Sequence, residues 1–395
     1  MRKSDLNQSR GATSRTARDI NRRLVLNVIR KHQPISRADI ARHTHLQRST
    51  VSTITEELIA ERWVTRGAFG DLPRGRKPTF MHFNGARAGI IGIDLQPSLT
   101  TLVLADLEVR ILAQETIHLS PGTGQFVPNL CEQVCRLIKS HPHIACEGIG
   151  VTLPGRIDPT TDGLVFAPNL KCGMMDLKNP LAVATGLPVE LENDANACAL
   201  AERWSGAHLE EVRNLVAITI SEGIEFGMIL NGQLVRGSTG LAGEFGHFVI
   251  QENGPLCSCG RKGCLGAFAS NAAAIRFFCE ATSSHQVRIA PPTFDELLRL
   301  ADEGDRNACD SLNCMAHYLG MSAAIIATGL APDVIVLVGA ATRAWKQIGP
   351  IITAMVKKHS VTGVNPRIVP AGPEMRLRGA VALITQRHFG AIQTC

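Results

Sequence analysis

No uncharged run in this chain reaches the length needed to cross a membrane, and no apolar signal segment opens it; MRKSDLNQSRGATSR is polar and basic. The first absence argues against a membrane-spanning helix. The second removes the usual route to an oxidising compartment. The chain has twelve cysteines, enough for a disulfide framework in a secreted protein. Without that route, and with Cys131, Cys135, Cys198 and Cys314 in helix-like stretches, free thiols in a reducing cytoplasm are expected. Aromatics are scarce at 4%, yet 45% of residues are hydrophobic, so the composition is ordinary globular. At 395 residues the chain exceeds one core, and two or three domains are expected.

Charge is unevenly spread. Residues 1–84 carry 17 Lys/Arg against 7 Asp/Glu, a net of +10, whereas the remainder carries 24 against 28, a net of −4. A basic first domain on a mildly acidic body fits a polyanion met at one end only, although a solubilising tail has the same composition.

The densest chemistry lies at residues 241–270, LAGEFGHFVIQENGPLCSCGRKGCLGAFAS. His247, Cys257, Cys259 and Cys264 offer one imidazole and three thiolates, the ligand set of a closed tetrahedral zinc site. Gly254, Gly260 and Gly263 permit the tight turns that aim thiolates inward. Buried free cysteines are the alternative. However, all three fall within eight residues of polar, Gly-rich sequence that no apolar periodicity explains. No further residue suggests an open coordination position, so the zinc reads as structural.

Residues 1–15 read as a flexible basic arm, and residues 16–84 as a DNA-binding domain. Over 16–30, Ile20, Leu24, Val25, Val28 and Ile29 form an apolar stripe at helical spacing. Ser36 starts a second helix, with Asp39 three residues on as a short stand-in for the acid of a capping box. A third helix spans about 47–61. Its Val51, Ile54, Leu58 and Ile59 face inward, leaving Gln47, Arg48, Ser49, Thr50, Ser52 and Thr53 outward at its leading end. Helix, short turn, helix with a polar leading end is the helix-turn-helix pattern, in which short hydroxyl and amide side chains reach base edges. A helical bundle for protein contact is the alternative. The next segment favours DNA: strands at 63–65 and 79–83 flank a loop bearing Arg74, Arg76 and Lys77 around Gly75, suited to a wing in the minor groove.

From residue 85 onward strands and helices alternate, which implies α/β layers. The Ile/Val-rich hairpins opening at Ile90 and Leu215 look like two copies of one unit, giving two lobes with a cleft between. The expected division is 85–210 for the first lobe, completed by a C-terminal helix at 378–390, and 211–377 for the second, with the zinc element at 247–264. Asp194 follows a strand and precedes a helix, a place for a base or a sugar-hydroxyl acceptor, or only for a helix cap. Glu244 and His247 lie on the Gly-rich turn before the cysteines. His247 can ligate metal through one ring nitrogen and bond a ligand hydroxyl through the other.

These motifs, SRADIARHTHLQRSTVSTITEEL with GRKP, LENDANACALAE, GLAGEFGH and CSCGRKGCLG, resemble the ROK family of repressors, open reading frames and kinases. The likeness is to its xylose, glucose and N-acetylglucosamine repressors, over nearly the whole chain. It implies an N-terminal winged helix-turn-helix followed by a two-lobed actin-like, hexokinase-like α/β fold. It also implies zinc on His247, Cys257, Cys259 and Cys264, and sugar contacts from Gly155, Asn169, Asn193, Asp194, Glu244 and His247. In kinase members the residue matching Asp194 is the base.

The departures bear on function. Where kinases carry a Gly-Gly-Thr phosphate turn, Asp94 is followed by Leu95, Gln96, Pro97 and Ser98. The second phosphate loop, usually Gly-Thr-Gly-Ile-Gly, reads Ser221, Glu222, Gly223, Ile224, Glu225, and its two carboxylates repel a triphosphate. The third loop has Ala340 and Ala341 after Gly339. Phosphoryl transfer is therefore not expected, although Asp194 is retained. Where the family has a sugar-binding Glu two residues after the last Cys, this chain has Gly266, a lost contact worth about 1–3 kcal/mol.

The expected function is a sugar-responsive repressor of carbohydrate uptake or catabolism genes. It binds double-stranded operator DNA as a homodimer or tetramer and takes a sugar or sugar phosphate in the cleft. Two alternatives stand beside it: a sugar kinase fused to a DNA-binding module, and a repressor controlled by a phosphotransferase-system protein with a vestigial sugar pocket.

Overall fold

The computed structural model describes residues 14–69, 79–97, 99–118, 124–157, 164–167, 170, 174–205, 212–282, 291–361 and 363–390. The arm up to residue 13 and the expected site residues Arg74, Arg76, Lys77 and Asn169 lie outside them, as does Ser98.

Three helices and a small antiparallel sheet come first: α1 (Ser14–His32), β1 (Ile35–Ser36), α2 (Arg37–Thr44), α3 (Arg48–Ala60), β2 (Val64–Phe69) and β3 (Thr79–Phe83). The sheet order is β1-β3-β2, with Ile35 opposite Met81 and Val64 opposite Phe83. In α1, Val25, Leu26 and Ile29 are buried. Ile20 and Leu24, expected in the same stripe, are about two-fifths exposed, at 40% and 39%. The inward face of α1 instead runs through Leu26, because the helix meets the rest of the molecule along its second half. Ser36 caps α2: its hydroxyl accepts from the Asp39 amide at 3.2 Å and donates to the Asp39 carboxylate at 2.6 Å. The shorter acid thus reaches the cap's hydroxyl.

Two five-stranded sheets follow, and they share one topology. The first runs β11-β7-β4-β5-β6, built from β4 (Gly89–Leu95), β5 (Thr100–Asp106), β6 (Ile111–Ile117), β7 (Cys146–Leu153) and β11 (Val189–Asn193). The second runs β16-β15-β12-β13-β14, from β12 (Leu215–Ile220), β13 (Ile224–Leu230), β14 (Gln233–Leu234), β15 (Val334–Val338) and β16 (Arg367–Ala371). In each, the first strand forms an antiparallel meander with the next two and a parallel pair with the fourth, which pairs in parallel with the fifth. The repeat of weak hydrophobic pattern in the sequence is therefore a repeat of architecture. β4, β5, β12 and β15 are buried along their whole length, as strands covered on both faces must be. A small sheet of β8 (Arg156–Ile157), β9 (Leu164–Phe166) and β10 (Met174–Asp176) adjoins the first.

Helices α4 (Phe126–Ser140) and α5 (Lys178–Thr185) contribute to the core on one side of the first sheet. The helices α7 (Gly266–Ala269), α8 (Asn271–Thr282), α9 (Phe294–Asp302), α10 (Arg306–Leu330) and α11 (Trp345–His359) do the same for the second. The last helix of each repeat crosses over. Helix α6 (Asp194–Ser205), which follows the first sheet, packs on β12 and β13; α12 (Met375–Phe389), which follows the second, packs on β4 and β7. The two also pack on each other, closest where Gly379 meets Ala197: a Cβ on Gly379 would lie 2.8 Å from the Ala197 backbone. Only a residue without a side chain allows that approach.

The C-terminal end of this helix pair meets the first domain. Trp63, Phe83 and Trp204 surround Phe389. Three α1 side chains at helical spacing reach the carbonyls that the two helices leave without intrahelical partners. Arg23 donates to Gly390 O (3.0 Å), Asn27 to Phe389 O (2.8 Å) and Arg30 to Trp204 O (3.3 Å). Arg30 also lies over the Trp204 and Phe389 rings. Among the described residues, no helix is long and apolar enough to cross a membrane.

Candidate functional site

A cleft of about 1150 Å³ opens beside the other end of α6, lined in part by Gly155, Asn193, Glu225, Glu244, His247 and Gly266. Four of the residues expected to face a ligand, Gly155, Asn193, Glu244 and His247, are thus brought to one surface. Asp194 is not among the lining residues. It is 1% exposed, behind the cleft wall.

Asn193 fixes this wall. Its Oδ1 accepts from the Ala195 and Asn196 amides at 3.0 and 3.2 Å, capping α6. The cap considered for Asp194 therefore falls to its neighbour. With Oδ1 so engaged, Nδ2 turns to the cleft, donating to Gly155 O at 3.0 Å and to Glu225 Oε2 at 2.6 Å. This joins the end of β11 to β13, one element from each sheet. A second bridge runs beside it: Arg236 donates to Glu192 Oε2 at 2.8 Å.

Behind the wall is a buried charge network. Asp94 accepts from Gln96 at 2.9 Å, from Thr152 at 3.2 Å and from Arg376 at 3.2 Å. The Asp94–Arg376 pair is almost wholly buried, with side chains 7% and 12% exposed. Burial lowers Arg376, but Asp94 and Asp194 outweigh it and hold the guanidinium charged. Burial pushes Asp194 up, Arg376 opposing, and Asp194 Oδ1 has no hydrogen-bond partner among the described residues. Glu225 is pushed well above the ordinary carboxylate range, first by burial and then by Asp194.

The four expected metal ligands converge. His247, Cys257, Cys259 and Cys264 present ligand atoms all within 4.8 Å of one another, a group able to hold a metal ion. His247 Nδ1 lies 3.5 Å from Cys257 Sγ, and Cys259 Sγ lies 3.7 Å from Cys264 Sγ. The other imidazole nitrogen, Nε2, is 3.6 Å from Glu244 Oε2. His247 therefore faces the thiols with one nitrogen and Glu244 with the other. The backbone turns that make this possible are local. Cys257 N donates to Arg261 O (2.8 Å), Gly260 N to Cys257 O (2.9 Å), and Gly263 N to Pro255 O (2.8 Å). Gly263 has φ +72°, and a Cβ there would fall 1.6 Å from Gln251 O. Burial acts to raise Cys259, but hydrogen bonds from Arg261 and the neighbouring thiols bring it down to about 6; burial and the same thiols push Cys264 up to about 12. Thiols sharing protons in this way are a donor set that a cation converts to thiolates.

At the far end of the molecule, Gln47 is the residue before α3 and Arg48 opens it. Gln47, Arg48, Ser49 and Thr53 are exposed, Thr50 and Ser52 partly so, while Val51, Ile54 and Leu58 are buried. No acid stands in the first turn of α3. Those further along are engaged: Glu56 by Arg37 and Arg66, Glu57 by Arg18, Glu61 by Arg22. The leading end is left polar and positive.

Three site residues, Asp94, Glu225 and Arg376, escape a reading by motif. Glu225 and Asp94 are visible only as departures from a phosphate loop. Arg376 lies before the expected start of its helix at residue 378. The helix begins at Met375, after Glu374 as its cap residue.

A cleft between duplicated α/β lobes, with a helical domain ahead of them, defines a protein of sugar-kinase type extended at its N-terminus. The ROK family profile matches residues 90–387 and a MarR family profile residues 21–71. The chain belongs to the ROK family. It is 32% identical over 321 residues to the xylose repressor of Bacillus subtilis (strain 168), covering 80% of this chain and 81% of that one. It is 26% identical over 384 residues to the DNA-binding transcriptional dual regulator NagC of Escherichia coli (strain K12), covering 95% and 94%. Among solved structures, a ROK family transcriptional regulator described as a homolog of the E. coli MLC protein superimposes with a TM-score of 0.82 at 25% identity, covering 95% and 98%.

Proposed function

We propose that this chain is a cytoplasmic, sugar-responsive transcriptional repressor of carbohydrate uptake or catabolism genes, acting as a homo-oligomer. The observation that carries the reading is the α6–α12 pair. Helix α6 begins at the cleft wall, where Asn193 caps it; α12 begins behind that wall, where Arg376 pairs with Asp94; and both end in the grip of α1. A ligand drawing the two lobes together acts on the first turns of these helices, and their last turns carry the displacement to the first domain. Because the ligand prefers one closure, it shifts the population of the DNA-binding arrangement.

The first domain acts as a winged helix-turn-helix. Its α3 enters the major groove with Gln47, Arg48, Ser49 and Thr53, and the loop with Arg74, Arg76 and Lys77 meets the minor groove. The relatives described as repressors or DNA-binding regulators support this. The metal is zinc, in a structural role. Bonds of about 2.3 Å to sulfur and 2.0 Å to nitrogen in a tetrahedron set ligand atoms roughly 3.5–3.8 Å apart, in keeping with the 3.5 and 3.7 Å contacts here. It holds His247 so that Nε2 and Glu244 face the sugar. Phosphoryl transfer is not part of the function: Asp94 is tied to Arg376, and Glu225 covers Asp194.

The test is DNA binding by the full chain. A duplex selected from a random library should bind tightly, and one of xylose, glucose or N-acetylglucosamine should weaken binding about tenfold. Failure to select any duplex would exclude the reading.

A further inference from the structure

The cleft wall holds a pair of acids in an unusual order. Asp194 begins α6 yet does not reach the cleft surface, whereas Glu225, from β13, lines the cleft. Glu225 is oriented from one side by Asn193 Nδ2, at 2.6 Å, and neighbours Asp194 on the other. The Asn193 amide cannot flip to offer its oxygen instead, because that oxygen caps α6 through two backbone amides. Glu225 is thus a fixed part of the surface and not a side chain that can swing aside freely. Two neighbouring carboxyls retain a proton more readily than either alone; here burial raises both, and Asp194 adds to the rise on Glu225.

Resting on the sugar-responsive reading above, we infer that Glu225 replaces Asp194 as the acid facing the effector and thereby sets its class: a neutral polyhydroxy compound donating a hydroxyl to Glu225, and not a phosphate ester. A phosphate at this wall meets Glu225 and Glu244 on the cleft surface, with Asp194 just behind. The cation behind the wall, Arg376, is already paired with Asp94. Other cations line the cleft elsewhere, on β8 (Arg156), in the turn between Cys259 and Cys264 (Arg261) and on α8 (Arg276). Of these, Arg276 is engaged by Ala267 O and Glu280, and Arg261 by Cys259. A hydroxyl needs no counter-charge, and it finds at Glu225 an oxygen held in place by Asn193.

Calorimetry on the full chain tests this with xylose, glucose, N-acetylglucosamine, glucose 6-phosphate and N-acetylglucosamine 6-phosphate. The native chain should bind a neutral sugar, and any phosphate ester of that sugar at least tenfold more weakly. Glu225→Gly should weaken neutral-sugar binding tenfold or more and narrow the gap to the ester. Glu225→Gln, which keeps the side chain's size and an acceptor oxygen, should lose less and guards against a folding defect in the glycine variant. If Glu225→Gly binds the neutral sugar within twofold of native, or the native chain binds the ester as tightly as the sugar, the inference is overturned while the sugar reading stands. A native chain that binds none of the five overturns the sugar reading, and the inference with it.

Discussion

Single residues at the cleft and at the metal centre carry consequences that titration and metal analysis can read. Glu225 has an ordinary value of 4.5, and burial with the Asp194 carboxylate raises it in the folded chain. A carboxyl whose folded value is raised contributes its stability below the unfolded value, and that contribution is lost as pH climbs through the folded one. Glu225→Gln removes the charge at every pH. It should therefore melt above the native chain at pH 7, by an amount that shrinks towards pH 4; an equal gap at both ends would contradict the assignment. At the metal centre, mass spectrometry should find one zinc per chain, and Cys264→Ser should lose it and melt several degrees lower. The two sites differ in how well sequence reveals them. The four ligands are local, spanning residues 247–264, so their spacing alone points to a metal. Glu225 meets Asp194 only because β13 lies beside the start of α6, and nothing within either segment announces that pairing. Asp194 illustrates the same limit: its place between strand and helix suggests a ligand contact, yet the neighbouring Asn193 reaches the cleft and caps the helix.

At the scale of elements, the proposed coupling runs through the helix pair. Gly379 lets α6 and α12 approach closely, and any side chain there strikes the Ala197 backbone. Gly379→Leu should therefore destabilise the chain by a few kcal/mol through overpacking, seen as a lower melting temperature. Asn27→Ala combined with Arg30→Ala is a subtler change. It leaves α3 and the cleft untouched but removes two of the three bonds from α1 to the helix ends, one at α12 and the one at α6, with Arg23 still on Gly390. That variant should bind sugar as the native chain does while its DNA affinity responds less to sugar. On α3, Arg48→Ala should weaken DNA binding and, if Arg48 contacts a phosphate, reduce the salt slope by about one. Helical periodicity makes these elements legible in outline, since Val51, Ile54 and Leu58 repeat at the expected spacing. It does not reveal that α6 and α12 cross to each other's sheets, because an apolar face records that it is covered but not by what. The start of α12 was obscured for a related reason: Arg376 and Arg378 break the apolar pattern, and Arg376 is buried only because Asp94, 282 residues away, pairs with it.

Over the whole molecule, two copies of one sheet topology enclose a cleft, and a third body is fastened to the helices that join them. This arrangement gives each part a separable duty. In the function proposed above, the lobes recognise a ligand, the metal element stiffens one side of the cleft, and the first domain meets DNA. Duplication was visible in the sequence as two Ile/Val-rich hairpins, but the shared strand order became clear only with the sheets assembled. In the proposed function the cleft and the first domain communicate through α6 and α12. The most direct measurement is fluorescence anisotropy of a selected DNA duplex, titrated with native chain and with the Asn27→Ala, Arg30→Ala variant, each with and without the sugar that calorimetry identifies. DNA binding should weaken about tenfold with sugar for the native chain and change markedly less for the variant, at unchanged sugar affinity. An equal response in both proteins would contradict this coupling.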